Sequence, residues 1–186
     1  MPALGVSMNL DRTPPPDPYQ FLPAVAEFSV TSADFTDGAP LDMAQVHDSA
    51  GGGNRSPSLS WRGFPTATQS FAVTCFDPDA PTAAGWWHWQ AINIPVSVAE
   101  LPTGAGTADN AGMPGGTVQM RTDFGTHGYQ GCAPPQGDYP HRYFFVVHAL
   151  DVPALDLGPQ TSNAVVGFHL VAHGLARATI VGTFRH

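Results

Sequence analysis

Lysine is absent from this chain: all seven basic residues are arginine, and fifteen acids bring the net charge to −8. With no basic stripe to neutralise a run of phosphates, neither nucleic acid nor an anionic bilayer is an expected partner. Cysteine is scarce. Cys75 and Cys132 are too few and too far apart for a disulfide framework or a CxxC metal knuckle, so two reduced thiols are expected, with Cys132 packed and inert. Long apolar runs are also missing, and Met1 to Leu10 lacks the basic start and apolar stretch of a signal peptide, so a cytoplasmic location is expected. No GxSxG elbow is present, and Gly104 to Gly116 fits neither GxxxxGK[ST] nor GxGxxG, which excludes a serine-hydrolase nucleophile turn and a nucleotide cradle.

What the chain does have is apolar and aromatic content: 42% apolar residues, with 11 Phe and 4 Trp, supply enough burial to offset chain entropy. A chain of 186 residues can hide about 70% of its surface in one core. Four prolines between Asp11 and Gln20 mark an extended arm over residues 1–24, ahead of a single domain over 25–186. Long Gly/Pro breakers fall at Asp48 to Pro57, Pro102 to Thr117 and Gly125 to Pro140, and loops of that length are places to look for a site. Between them, Glu27 to Ser32, Phe71 to Phe76, Trp87 to Ile94, Tyr143 to Leu150 and Ala178 to Phe184 read as strands rich in aromatic and branched residues. Several are apolar on both faces and so need cover on each side. One helix is predicted, Asn163 to Ala176, capped by Ser162 or Asn163, with Val166, Leu170 and His173 or Leu175 on its apolar face. The fold expected is mainly β and antiparallel.

Three polar groupings sit at strand ends beside these loops. Asp77-Pro78-Asp79-Ala80-Pro81 follows a strand, and its prolines stiffen a turn that fixes two carboxylates; an ordinary Asx turn is the plain alternative. Trp86-Trp87-His88-Trp89 opens the next strand, where alternation predicts His88 on the face opposite Trp87 and Trp89. His141 and Tyr143, two apart at the start of another strand, share a face. If these ends converge, imidazole and phenol donors meet one or two carboxylates in a set suited to a small anion, with loop N–H groups adding donors. Asp77 would then fix or charge a histidine, or pair with an ammonium on the same ligand. His169 and His173 are spaced i, i+4, but Leu170 stands where HExxH has Glu, so helix packing is expected there. No metal or cofactor is expected.

Taken in order, DPDAP (77–81), WHW around His88, NIP (93–95), the GY-G loop with paired prolines (128–137) and HRY (141–143) resemble the phosphatidylethanolamine-binding protein family, specifically its bacterial Raf kinase inhibitor-like branch. The likeness spans residues 25–185. It implies a β-sandwich of a large central sheet and a smaller one, a few short flanking helices, and a shallow anion pocket at one end of the strands. By the same resemblance Asp77, His88, His141 and Tyr143 line the pocket, Asp79, Pro81 and Pro135 shape it, backbone from Gly131 to Ala133 adds a donor, and cis peptides lie near the DPDAP turn. The chain departs from the family's GY-G-GPCPP loop at Gly131-Cys132-Ala133. The function implied is a binding protein for a small phosphate- or carboxylate-bearing ligand such as a phosphorylethanolamine-like head group. A protein partner, a kinase or protease, and a homodimer are further expectations. The alternative is a hydrolase or other acid/base enzyme using Asp77, His88 or His141.

Overall fold

Strands form wherever the β-like apolar runs of the sequence are longest. The structure, a computed structural model, describes residues 9–186; the first eight residues of the expected arm lie outside them. In chain order the strands are β1 (Ala26–Glu27), β2 (Ser29–Thr31), β3 (Leu59–Arg62), β4 (Ser70–Asp77), β5 (Trp86–Pro95), β6 (Glu100–Leu101), β7 (Val118–Gln119), β8 (His141–Leu150) and β9 (Gly174–Phe184). One α-helix, α1 (Asn163–Ala172), lies between β8 and β9, and short 3-10 turns cover Pro18–Phe21, Met43–Gln45 and Asp48–Ala50.

The long strands sit together in a six-stranded sheet of order β1-β9-β8-β4-β5-β7, and β2, β3 and β6 make a second, three-stranded sheet. The fold is therefore mainly β with few helices. The antiparallel expectation needs one correction: β1 runs parallel to β9, pairing Ala26 with Ala176 and Glu27 with Arg177, so the large sheet is mixed. No hairpin joins two strands so distant in sequence, and nothing local dictates their direction. The other ladders of both sheets are antiparallel.

Both faces of the large sheet are covered, as the two-sided apolar strands require. On one face Leu59, Trp61 and Leu101 of the small sheet join Phe71, Val73, Phe145, Val147 and Ile180 in a single cluster. On the other, Ala72, Ile92 and Leu150 meet Val166 and Leu170 of α1. Burying side chains such as Phe71, Phe145 and Leu59, all fully inaccessible, contributes about 1.5–3 kcal/mol each.

Helix α1 starts where predicted, with Ser162 Oγ accepting the Val165 N–H at 3.4 Å, but it stops at Ala172 rather than Ala176. Gly174 already pairs with Leu150, and a Cβ there would come within 2.6 Å of the Leu170 carbonyl oxygen. Only a glycine lets β9 leave the helix so abruptly. The arm from residue 9 onward is not extended throughout, since Asp17 accepts the Tyr19 N–H at 2.8 Å and starts the Pro18–Phe21 turn. Arg142 donates to Pro15 O at 2.6 Å and Arg177 to Pro23 O at 2.8 Å, pinning the arm to β8 and β9.

Beneath the arm lies His148, 5% exposed. Burial, reinforced by Arg177, depresses its pKa from 6.5 to about 3. The unfolded chain takes up this proton below about pH 6.5 and the folded chain does not, so this contribution to stability is present above pH 6.5 and lost as pH falls towards 3. Equilibrium urea unfolding should therefore show an acid limb of up to about 1.4 kcal/mol per pH unit between pH 6 and 4 that flattens in His148→Gln. An unchanged limb in the variant would assign it to other groups.

Candidate functional site

Two strand ends and one loop build the site. Asp77 closes β4, and His141 and Tyr143 open β8, where alternation turns both towards the small sheet. His88 reaches the same place by a route that alternation does not predict. In the β4–β5 ladder Cys75 pairs with Trp89 and Phe76 with Trp87, so His88 is the extra residue of a β-bulge. The bulge separates the two indoles. Trp87 packs on Phe76 at 4.4 Å between ring centroids, on the α1 side, while Trp89 is buried in the core between the sheets. The expectation that Trp87 and Trp89 share a face is corrected accordingly, and His88 stands edge-on to the Tyr143 ring at 5.2 Å.

Asp77 serves both a turn and a histidine. Its Oδ1 accepts the N–H groups of Asp79 and Ala80 at 2.8 and 3.0 Å, which is the Asx turn, while Oδ2 accepts from His141 Nδ1 at 2.8 Å. The other imidazole nitrogen, Nε2, donates to Asp138 Oδ2 at 3.0 Å, and the Arg12 guanidinium of the arm closes on the same oxygen. Burial disfavours a charge on His141, but the Asp77 and Asp138 carboxylates outweigh it and raise the pKa above 6.5. Asp77, His141, Asp138 and Arg12 thus form a line of alternating charge. Burial also works against the Asp138 carboxylate, yet hydrogen bonds from His141 and Arg12 hold its pKa below the usual range.

His88 is different. Its Nδ1–H donates to the carbonyls of Gln130 and Gly131 at 2.7 and 3.1 Å, leaving Nε2 facing Asp77 Oδ2 at 4.0 Å. Burial lowers its pKa in spite of Asp77 and the two carbonyls, so Nε2 is a bare acceptor at neutral pH. Beside it the buried Tyr143 hydroxyl has no hydrogen-bond partner among the described residues. Phe124, stacked on His47 at 4.9 Å and edge-on to Trp86 and His88, walls this end.

The remaining sequence candidates do structural work. Asp79 is locked to Arg142, accepting from its backbone N–H, Nε and Nη2 at 2.8 Å each. Gly131 N–H is taken by Asn54 Oδ1 at 2.7 Å, and a Cβ on Gly131 would lie 2.3 Å from His47 N. Of the loop donors, the Cys132 N–H goes to Gln45 O at 3.3 Å, and Ala133, half-buried, follows it. Pro135 O accepts the Asp138 N–H at 3.2 Å, forming the turn that delivers Asp138. Pro81 is exposed and lines a groove under the arm with Arg12 and Pro15. Both peptide bonds preceding the prolines of the DPDAP turn are trans. Cys132 is fully buried, and burial pushes its thiol well above the normal range, as an inert thiol requires.

Arg12 and Asp138 were not singled out in the sequence. Asp138 sits inside the Gly/Pro loop three residues before His141, a spacing that could have drawn notice; Arg12 carries no local signal. Among the described residues no group of three or more His, Cys, Asp or Glu is arranged to hold a metal ion, and both nitrogens of His141 are already engaged.

A family model described as phosphatidylethanolamine-binding protein matches residues 31–185. Among curated relatives, the Escherichia coli K12 protein YbhB is 48% identical over 155 residues, covering 82% of this chain and 97% of its own. YbcL of the same organism is 46% identical over 166 residues, covering 88% and 91%. The crystal structure of YbcL, described as a new member of the mammalian family, superposes with a TM-score of 0.84 at 47% identity, covering 87% of this chain and 99% of that one. A homologue from Chlamydia trachomatis gives 0.72 at 27% identity over 86% of this chain and 98% of its own.

Removing Arg12 leaves two carboxylates against one imidazolium. Arg12→Ala should raise the His141 pKa, followed by NMR titration, and lower stability at pH 7 by about 1–3 kcal/mol in urea, because Asp138 is buried and loses its cation. An unmoved His141 titration would show that Arg12 is not part of the charge line.

Proposed function

As the chain belongs to the phosphatidylethanolamine-binding protein family, we propose that it binds a small phosphate- or carboxylate-bearing ligand between His88, Asp77 and Tyr143 and acts as a binding protein. The observation that carries this reading is the uncommitted set at the strand ends: His88 Nε2 facing Asp77 Oδ2 at 4.0 Å, beside a buried phenol with no partner. A buried hydroxyl without a partner costs about 1–3 kcal/mol, which an anion accepting from it would recover.

Two acceptors facing one another, a neutral imidazole nitrogen and a carboxylate, do not hold an anion by themselves. One proton must enter with it, either onto His88, which makes Nε2 a donor, or on the ligand as P–OH. With a protonated His88 and the Tyr143 hydroxyl donating, the anion receives two charge-assisted or directional bonds, and Asp77 stabilises the imidazolium. Binding is favoured over turnover by the state of the other groups. His141 is held at both nitrogens and Asp79 is fixed on Arg142, so neither is free as an acid or base.

Calorimetric titration with phosphorylethanolamine and with inorganic phosphate should show saturable binding at pH 6 that weakens about tenfold or more by pH 8, since the proton must then come from solvent. Tyr143→Phe, which keeps the ring, should weaken it roughly tenfold or more, and His88→Ala should abolish it. Absence of wild-type binding at both pH values, or an affinity indifferent to pH and to both substitutions, overturns the reading.

A further inference from the structure

The opposite face of the large sheet carries a cavity of about 410 Å³ between α1, the sheet and the arm. Its walls are apolar and aromatic, contributed by Tyr19, Phe76, Trp87, Phe168 and Leu170, and its size is in the range of small-molecule sites. Three of its large apolar residues remain open to solvent, Leu22 at 38%, Phe168 at 71% and Val171 at 40% exposure. Isolated exposed apolar residues are ordinary, but here they edge a concave surface.

The polar groups of this cavity are donors. Arg177 is half-buried and donates to Pro23 O at 2.8 Å. Arg12 and Arg142 have carboxylate partners within 4.0 Å, but among the described residues Arg177 has none. Asp17 and Glu27 line an adjoining groove on which Arg177 also borders, without reaching it at that distance. His148 is the second polar group, a donor towards the cavity in one of its two neutral tautomers. Its Nε2 lies 3.3 Å from Thr74 Oγ1; with the hydroxyl donating, the ring proton sits on Nδ1, which has no protein partner among the described residues. The depressed pKa of His148 fits a ring that stays neutral there.

We propose that this cavity is a separate binding site for an amphiphilic carboxylate, its head accepting from Arg177 and His148 Nδ1–H and its apolar body lying over Trp87, Phe168 and Leu170. A medium-chain fatty acid is the simplest ligand of that class. The site is independent of the anion pocket: His148 and His141 are both on β8 but seven residues apart, and alternation sends them to opposite faces.

Calorimetry with decanoate below its micellar concentration tests the assignment, with decanol as the uncharged comparison. Expected is one saturable decanoate site per chain, at least tenfold tighter than decanol. Arg177→Gln keeps the donor to Pro23 and should reduce decanoate affinity at least tenfold while leaving decanol unchanged. Gly167 lines the cavity, and a Cβ there meets nothing within 4 Å, so Gly167→Trp should fill the space and abolish uptake without unfolding the chain. Circular dichroism and phosphate binding at the opposite face report separately on the fold and on the anion pocket. The proposal is overturned by the absence of saturable decanoate binding in the wild type, or by binding that survives both substitutions. A concentration-dependent dimer that Gly167→Trp breaks, without decanoate uptake, assigns the cavity to a second copy and overturns it equally.

Discussion

Asp77, His141, Asp138 and Arg12 form a buried line of alternating charge, and the parts of the molecule that make the site are held together there. Each group comes from a different place: the end of β4, the start of β8, the Gly/Pro loop and the arm. A charge removed from water is tolerated only beside its complement, so loss of any member leaves a neighbour uncompensated at a cost of several kcal/mol. The arm is thereby tied to residues 126 positions away, and no local propensity could hold it there. Asp79 and Arg142 repeat the device one step outward, where Arg142 also reaches back to Pro15 O.

Strand β8 divides its chemistry between two faces. His141 and Tyr143 look towards the small sheet and the charge line, whereas Arg142 and His148 look towards the arm and α1. Strict alternation does this for β8, and a bulge does it for β5. Without the extra residue, His88 could not stand beside Tyr143 while Trp87 and Trp89 served opposite faces. A bulge is the usual means by which a strand re-aims one side chain beside a site, and here it turns a core strand into a site strand without disturbing Trp89.

These two devices mark where the sequence was legible and where it was not. The long strands and the helix start at Ser162 follow from periodicity and capping, both local and short-range, whereas the meeting of Asp77 with His141, 64 positions away, follows from no local pattern and is implied only by the family resemblance. Strand β3, β6 and β7, of two to four residues, were not recognised, since so short a segment shows no period. The parallel β1 and the Arg12 contact depend on pairings across almost the whole chain, and the bulge at His88 is decided by register with β4 rather than by anything in Trp-Trp-His-Trp itself. At Asp77 one oxygen makes the Asx turn while the other accepts from His141 and lies 4.0 Å from His88 Nε2.

Charge balance within the site then limits what it can accept. The line from Asp77 to Arg12 sums to zero with His141 protonated, and Asp79 is neutralised by Arg142. A further negative charge brought in whole would face the Asp77 carboxylate with nothing left over to offset it. His88 is the member of the cluster whose second nitrogen is uncommitted, and burial keeps that nitrogen unprotonated until something nearby favours the cation. An anion does so. The depressed pKa of His88 is therefore the means by which the proposed site would stay neutral when empty and acquire its positive charge together with its ligand, so that anion and proton enter as one.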